Sequence, residues 1–229
     1  MRALDCLSAT AILLHLCAAP LFAAPPDAAA QNAGPAVTVE YTNPGLSPAH
    51  WTMTLYPDGS GHFTSLVSDA PANRSGELGL PAIDRDITVS QKFASELFQT
   101  AAHEAWFNKE CESHMKVAFQ GWKKLSYKGP EGSGSCTFNY SKEKNLQDLG
   151  DALLAVSTTV LEGAKLELLL EHDPLGLHNE MASLVNAAEE GRARELCAIR
   201  GILERLAGDD HVMDMVRKQA RQLLARADT

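Results

Sequence analysis

The sequence predicts an α+β fold: an antiparallel sheet with a packed helix in the N-terminal part, followed by a C-terminal α-helical region. Three observations carry this. Short stretches before residue 90 alternate apolar and polar residues, one long helical face follows Ser90, and apolar spacing is helical from Leu146 onward.

Val37, Val39 and Tyr41 fall on one face of a first strand, which Pro44 and Pro48 then interrupt. Trp51–Tyr56 alternates again, Pro57-Asp58-Gly59-Ser60-Gly61 supplies turn chemistry, and His62–Val67 returns. Asp-Gly between two alternating runs predicts a hairpin, because the turn needs residues that tolerate left-handed backbone. Residues 68–82, rich in Gly, Pro, Ala and Ser, read as a loop, and Asp86–Val89 as a short strand. Ser90 is placed to cap a helix. Behind it Phe93, Leu97, Phe98, Ala101, Ala102, Ala105 and Trp106 form one face ending near Asn108. Lys116–Gln120 and Lys123–Lys128 read as extended segments with a bend at Gly121. Gly129–Gly134 reads as a turn and Cys136–Tyr140 as the returning strand.

Beyond this the chain is helical. Leu146, Leu149, Leu153, Val156 and Val160 make one stripe, with Gly163 as its expected break. Asp173-Pro174 signals a new helix lined by Leu177, Met181, Leu184, Val185 and Ala188. A third is expected over 193–206, and a fourth after Asp209-Asp210. The expected organisation is a signal peptide over 1–30 (cleavage near 23–30), a linker over 31–36, an α+β domain over 37–161 and a helical subdomain over 162–229.

The leader sets the compartment. Arg2 precedes an apolar run from Leu7 to Ala19, shorter than the roughly 20 residues a membrane anchor takes, and small residues follow it. Cleavage fits after Ala23 or after Ala30, and the chain is expected to be periplasmic or secreted, with no transmembrane segment once processed. Cys17 ends the run, but His15-Leu16 before it is unlike the small residues that lipid attachment uses. Cleavage after Ala30 leaves 19 basic against 27 acidic residues. That balance argues against a nucleic-acid surface and equally against a basic membrane-surface protein.

Cys111, Cys136 and Cys197 remain after the leader goes. An oxidising compartment favours pairing two of them. Cys111 precedes the β-meander and Cys136 opens its last strand, so these two are the expected disulfide, while Cys197, in a helical apolar pattern, is an expected buried thiol. Asn73-Arg-Ser and Asn139-Tyr-Ser match the glycosylation acceptor pattern.

No motif for catalysis is complete. His103-Glu104 begins a metalloprotease pattern, but Phe107 occupies the second histidine position, and Cys111-x-x-His114 is only half a metal site. Glu171-His172-Asp173 with His178 and Glu180 reads as a solvated helix junction. Gly132-Ser-Gly-Ser lacks the lysine of a phosphate-binding loop and leads into a strand, and no Gly-x-Ser-x-Gly elbow occurs. No catalytic residue, metal ligand or cofactor is therefore expected. One surface stands out: Trp122, Lys123, Lys124 and Tyr127, aromatics interleaved with cations in an acidic chain. Alternation puts Trp122 with Lys124, and Lys123 with Leu125 and Tyr127; the competing reading, which weighs more, is that the aromatic side chains belong to the core and the lysines protect an edge strand.

The run Thr54–Gly61, the helix end Ala105-Trp106-Phe107 and the strand Gly134–Ser141 resemble an uncharacterised family of exported bacterial proteins, over about Val37 to Ala188. The resemblance implies export and an α+β domain, and carries no activity or site. The expected function is a non-enzymatic envelope protein that binds, its partner an envelope protein. The competing expectation is an extracytoplasmic hydrolase with a site assembled from scattered residues. A third is an assembly factor whose helical tail docks to a partner.

Overall fold

The computed structural model describes residues 34–67 and 79–227. The expected signal peptide, half of the linker, Asn73 and most of the loop over 68–82 lie outside them. Six strands form one antiparallel sheet: β1 (Ala36–Thr42), β2 (His50–Leu55), β3 (Ser60–Ser65), β4 (Ile83–Thr88), β5 (Trp122–Gly129) and β6 (Gly132–Phe138), in spatial order β4-β3-β2-β1-β5-β6. The first four are a meander, and the chain then crosses back to lay β5 against the free side of β1, Val39 opposite Leu125. The Asp-Gly turn closes the β2–β3 hairpin, with Gly59 at φ 80° and Ser60 N bonded to Asp58 Oδ1.

Alternation along each strand divides the sheet into two faces. Val37, Val39 and Tyr41 of β1, Trp51, Met53 and Leu55 of β2, and Leu125 and Tyr127 of β5 are buried on one face. Two helices cover that face. The first, α1 (Gln91–His103), starts at Ser90, whose Oγ accepts the Phe93 N–H at 3.1 Å. It buries Phe93, Ala94, Leu97 and Ala101, and α2 (Lys144–His172) adds Leu146, Leu149, Leu153, Val156 and Val160 to the same core. The opposite sheet face is polar, with hydroxyls in ladders such as Thr38–Thr54 at 3.0 Å.

The second half of α2 belongs to another core, built with α3 (Leu177–Glu189), α4 (Arg200–Gly208) and α5 (Asp214–Ala227) around Leu166, Met181, Leu184, Leu203, Val216 and Leu223. The two cores meet along α2. Arg85 of β4 makes a two-pronged pair with Glu167 of α2 at 3.2 and 2.6 Å.

Five local expectations need correction. Gly163 does not break α2; a Cβ there would stand 2.3 Å from Ile199 Cγ2, so this glycine lets the 3-10 turn Leu196–Ile199 pack close. Asp173 caps the end of α2 rather than the start of α3, which begins at Leu177. The third helix is split: Glu195 sits at φ 56° ahead of the short turn, and α4 starts only at Arg200. The β5–β6 turn is tighter than expected, because Gly132–Gly134 pair with Tyr127–Gly129 inside the sheet. Finally, α1 stops at His103, and Ala105, Trp106 and Phe107 form a left-handed turn at φ 52°, 56° and 63°.

Left-handed backbone costs a non-glycine residue about 1–2 kcal/mol. Packing offsets it here. Trp106 stacks on Tyr127 at 4.2 Å between ring centroids, Phe107 is fully buried, and the turn lies against Gly132 and Gly134, where side chains would collide. Buried Glu104 anchors the turn through Lys109 at 2.6 Å, His103 at 2.9 Å and Asn145 at 3.2 Å. These donors hold its carboxyl below the usual range, although burial opposes them.

Candidate interaction surface

The end of the sheet where β1 finishes and β5 begins is the most unusual surface of the protein. Between the left-handed turn and β5 the chain runs through residues 108–121 without pairing into the sheet, so Lys116–Gln120 is not the sheet strand its composition suggests. Four devices hold this segment. The Cys111–Cys136 disulfide, with Cα atoms 5.7 Å apart, ties its start to β6. Asn139 clasps its far side: Oδ1 accepts the Gln120 N–H at 2.7 Å, and Nδ2 donates to the Ala118 carbonyl at 3.3 Å. Glu112 folds back so that its carboxylate accepts the Asn139 and His114 N–H groups at 2.6 and 3.1 Å. Burial pushes the Glu112 carboxyl up, but the hydrogen bonds together outweigh it and hold the group below its ordinary value. Tyr41 Oη donates to the Gln120 carbonyl at 2.6 Å, and Gly121 at φ 105° lies where any side chain would strike the Tyr41 ring. The buried Asn139 side chain is thus used inside the protein, and the acceptor pattern around it marks a structural hub.

The four residues expected to form a recognition cluster do not share a surface. Lys123 is fully buried on the core face of β5; its ammonium donates to the Asn139 carbonyl at 2.8 Å and sits 5.3 Å above the Phe138 ring. Desolvation lowers its pKa, with Asp151 and Glu112 pulling the other way. Tyr127 is buried on the same face, and its hydroxyl donates to Glu131 at 2.5 Å. Burial, then Glu131, push that phenol up to about 12. Only Trp122 and Lys124 face outward, Lys124 paired with Glu40 at 2.7 Å. The alternation expected for β5 therefore holds, and it is what divides the cluster.

Trp122 instead joins a different group. Its indole is 45% exposed and meets Phe119, 51% exposed, edge to face at 6.0 Å. Met115 and Val117 are exposed on the same segment, Leu46 on the β1–β2 loop, and Leu66 and Val67 just past β3. By strand direction all three segments leave the sheet at one end. Seven of the eleven large apolar side chains that stand exposed among the described residues are gathered there. Single exposed apolar residues are ordinary on a protein, whereas a contiguous group marks a contact surface. No sequence periodicity links these residues, since they come from three segments that only the sheet register brings together.

The other candidate clusters resolve into local structure. His103 turns to Glu104, Cys111 is in the disulfide, and His114 lies 3.9 Å from Glu110. Glu171, His172 and Asp173 are exposed at the α2 terminus, and Asp173 accepts the Gly176 N–H. Among the described residues no group of three or more His, Cys, Asp or Glu side chains is placed to hold a metal ion. Cys197 is a half-buried free thiol that donates to the Thr88 carbonyl at 3.3 Å, and burial followed by Glu195 pushes it up to about 11. A groove of about 420 Å³ between α1 and α2 is lined by Lys92, Glu96, Asp148 and Arg194, and does not include His103, His114 or His172. Among the described residues no helix is long and apolar enough to cross a membrane. Comparison with known proteins finds no matching family model and no significant match among curated sequences, so the surface is read from its residues alone.

Proposed function

We propose that the protein is an exported binding module of the cell envelope, acting through the apolar end of its sheet and not through catalysis. The observation that supports this is the concentration of exposed apolar side chains there, on a segment that a disulfide, Asn139, Glu112 and Tyr41 all hold in place. A protein gains nothing in stability by bracing a segment in order to expose phenylalanine and tryptophan, whereas a binding surface gains from being pre-organised. The disulfide is compatible with an oxidising, extracytoplasmic compartment.

The test is sedimentation of the processed protein with the envelope fraction of its own cells. The native chain and a Leu175→Ser control, altered at an exposed leucine between α2 and α3, are expected in the pellet. A Phe119→Ser, Trp122→Ser double variant with an unchanged melting temperature is expected in the supernatant. Equal pelleting of all three refutes the assignment.

A further inference from the structure

We propose a second binding site, separate from the sheet end: the groove between α1 and α2 takes a short peptide with both ends free, its carboxylate at Lys92 and Arg194 and its ammonium at Glu96. The first argument is shape. The two helices run antiparallel and are tied at both ends. At one end Asn145 of α2 donates to Glu104, just past α1, at 3.2 Å. At the other, the turn after α3 bridges them: the Arg194 N–H donates to the Ala155 carbonyl at 3.2 Å, and Glu195 accepts the Ser90 N–H at 2.5 Å. Between these ties lies the groove of about 420 Å³, within the size range of small-ligand sites. Phe93, Leu97 and Leu149 give it an apolar floor, and Ala152 contributes only a methyl where a larger side chain would close it.

The second argument is charge. Lys92, Glu96 and Arg194 line the groove, and none has a side-chain partner among the described residues. Elsewhere Arg85, Lys109, Lys124, Lys165 and Arg217 all pair with carboxylates. Lys92 and Glu96 even stand one helical turn apart on α1, the spacing at which such a pair commonly closes, and yet they stay open. The other acids of the groove are engaged, Asp148 with Lys144 and Glu195 with Ser90. Free charges of both signs complement a zwitterion, and neither an anion nor a cation alone satisfies them. The third argument is length. One helical turn separates Lys92 from Glu96 by about 6 Å along the axis. Two extended residues span at most about 7 Å, whereas a single amino acid spans about half of that. Arg194 is also set in place beforehand: Thr159 Oγ1 donates to its carbonyl at 2.6 Å, and Glu195 beside it holds a left-handed φ of 56°.

The experiment is a nuclear magnetic resonance titration of the isotope-labelled, full processed chain with the dipeptide alanyl-leucine. Binding is expected with a Kd of about 1 mM, shifting amides over 90–100, 145–152 and 194–195 and leaving those of the sheet end in place. Acetylating the dipeptide amine or amidating its carboxylate should each weaken binding roughly fivefold, as for ion pairs open to water. Arg194→Gln should weaken the free dipeptide by a similar factor and leave the amidated one unchanged. Glu96→Gln should weaken the free dipeptide and leave the acetylated one unchanged. Ala152→Leu, at a half-buried position, should abolish binding with the melting temperature retained. No shifts at the groove, acetate binding as tightly as the dipeptide, or full binding by Ala152→Leu each overturns the proposal. So does an Arg194→Gln or Glu96→Gln variant that weakens free and capped dipeptides alike. The Phe119→Ser, Trp122→Ser variant should bind alanyl-leucine as the native chain does, so failure at the groove is distinguishable from failure at the sheet end.

Discussion

Replacing Glu162 by glutamine should change how the stability of the protein depends on pH. Glu162 of α2 faces Glu180 of α3, whose Oε2 pairs with Lys165 at 2.6 Å. Oε2 of Glu162 and Oε1 of Glu180 are both buried without a donor, and one shared proton satisfies both. Burial first, then the hydrogen bond and the negative charge of Glu180, push the Glu162 carboxyl from 4.5 up to about 8, while Lys165 and Arg192 pull it down. His178, also on α3, has a buried Nδ1 without a partner. The folded pKa is raised, so the folded chain holds the extra proton. Its stabilising effect is complete below the unfolded value of 4.5 and is lost as pH rises through 8. Within that window stability falls by about 1.4 kcal/mol per pH unit, or about 3 kcal/mol from about pH 5.5 to about pH 7.5. Glutamine keeps a donor toward Glu180 at every pH, so its variant should lack this fall. Urea unfolding at three pH values, extrapolated to water, measures both slopes. Identical slopes for the two proteins refute the shared proton.

Three other outcomes follow from the packing. Removing the disulfide by Cys111→Ser with Cys136→Ser should cost about 3–4 kcal/mol, given the 25-residue separation, read as a shift in the urea midpoint that reductant reproduces in the native chain. Asn139→Ala breaks the clasp on Ala118 and Gln120; it should cost about 1–3 kcal/mol and open residues 112–120 to limited proteolysis. Gly163→Ala would improve helix propensity by about 1 kcal/mol, yet it forces a methyl to 2.3 Å from Ile199. The net effect should be destabilisation of about 1–2 kcal/mol, measured by thermal melting, and a more stable variant would show that Ile199 can move aside.

Periodicity made the sheet and its covering helices legible. Val37, Val39 and Tyr41, the Asp58-Gly59 hairpin, Ser90 as a cap and the Leu146–Val160 stripe all stand where their spacing puts them. The disulfide was legible too, although its route was not: between the cysteines lie an unpaired segment and one hairpin, not the expected meander. Long-range contact decided the rest. Gly163 looks like a helix break until Ile199 fills the space beside it, and Ala105-Trp106 continues a helical face until buried Glu104 and the Tyr127 ring turn the backbone left-handed. Lys123 sits on the core face as alternation says, but a lysine among apolar neighbours reads as a surface residue until the Asn139 carbonyl is found waiting for it. The interaction surface was legible only in Trp122. Leu46, Leu66 and Phe119 are far apart in sequence and are brought to one end of the sheet by strand register, which no local pattern encodes.

The central claim is the location of the contact surface, and hydrogen exchange of the processed protein, with and without envelope membranes, tests it most directly. Protection is predicted at the three segments of the sheet end, around Leu46, around Leu66 and over 114–122, with the C-terminal helices unchanged. Protection instead around Leu175 or Met213–Met215, where the helical region exposes its own apolar side chains, or no protection at the sheet end, would contradict it.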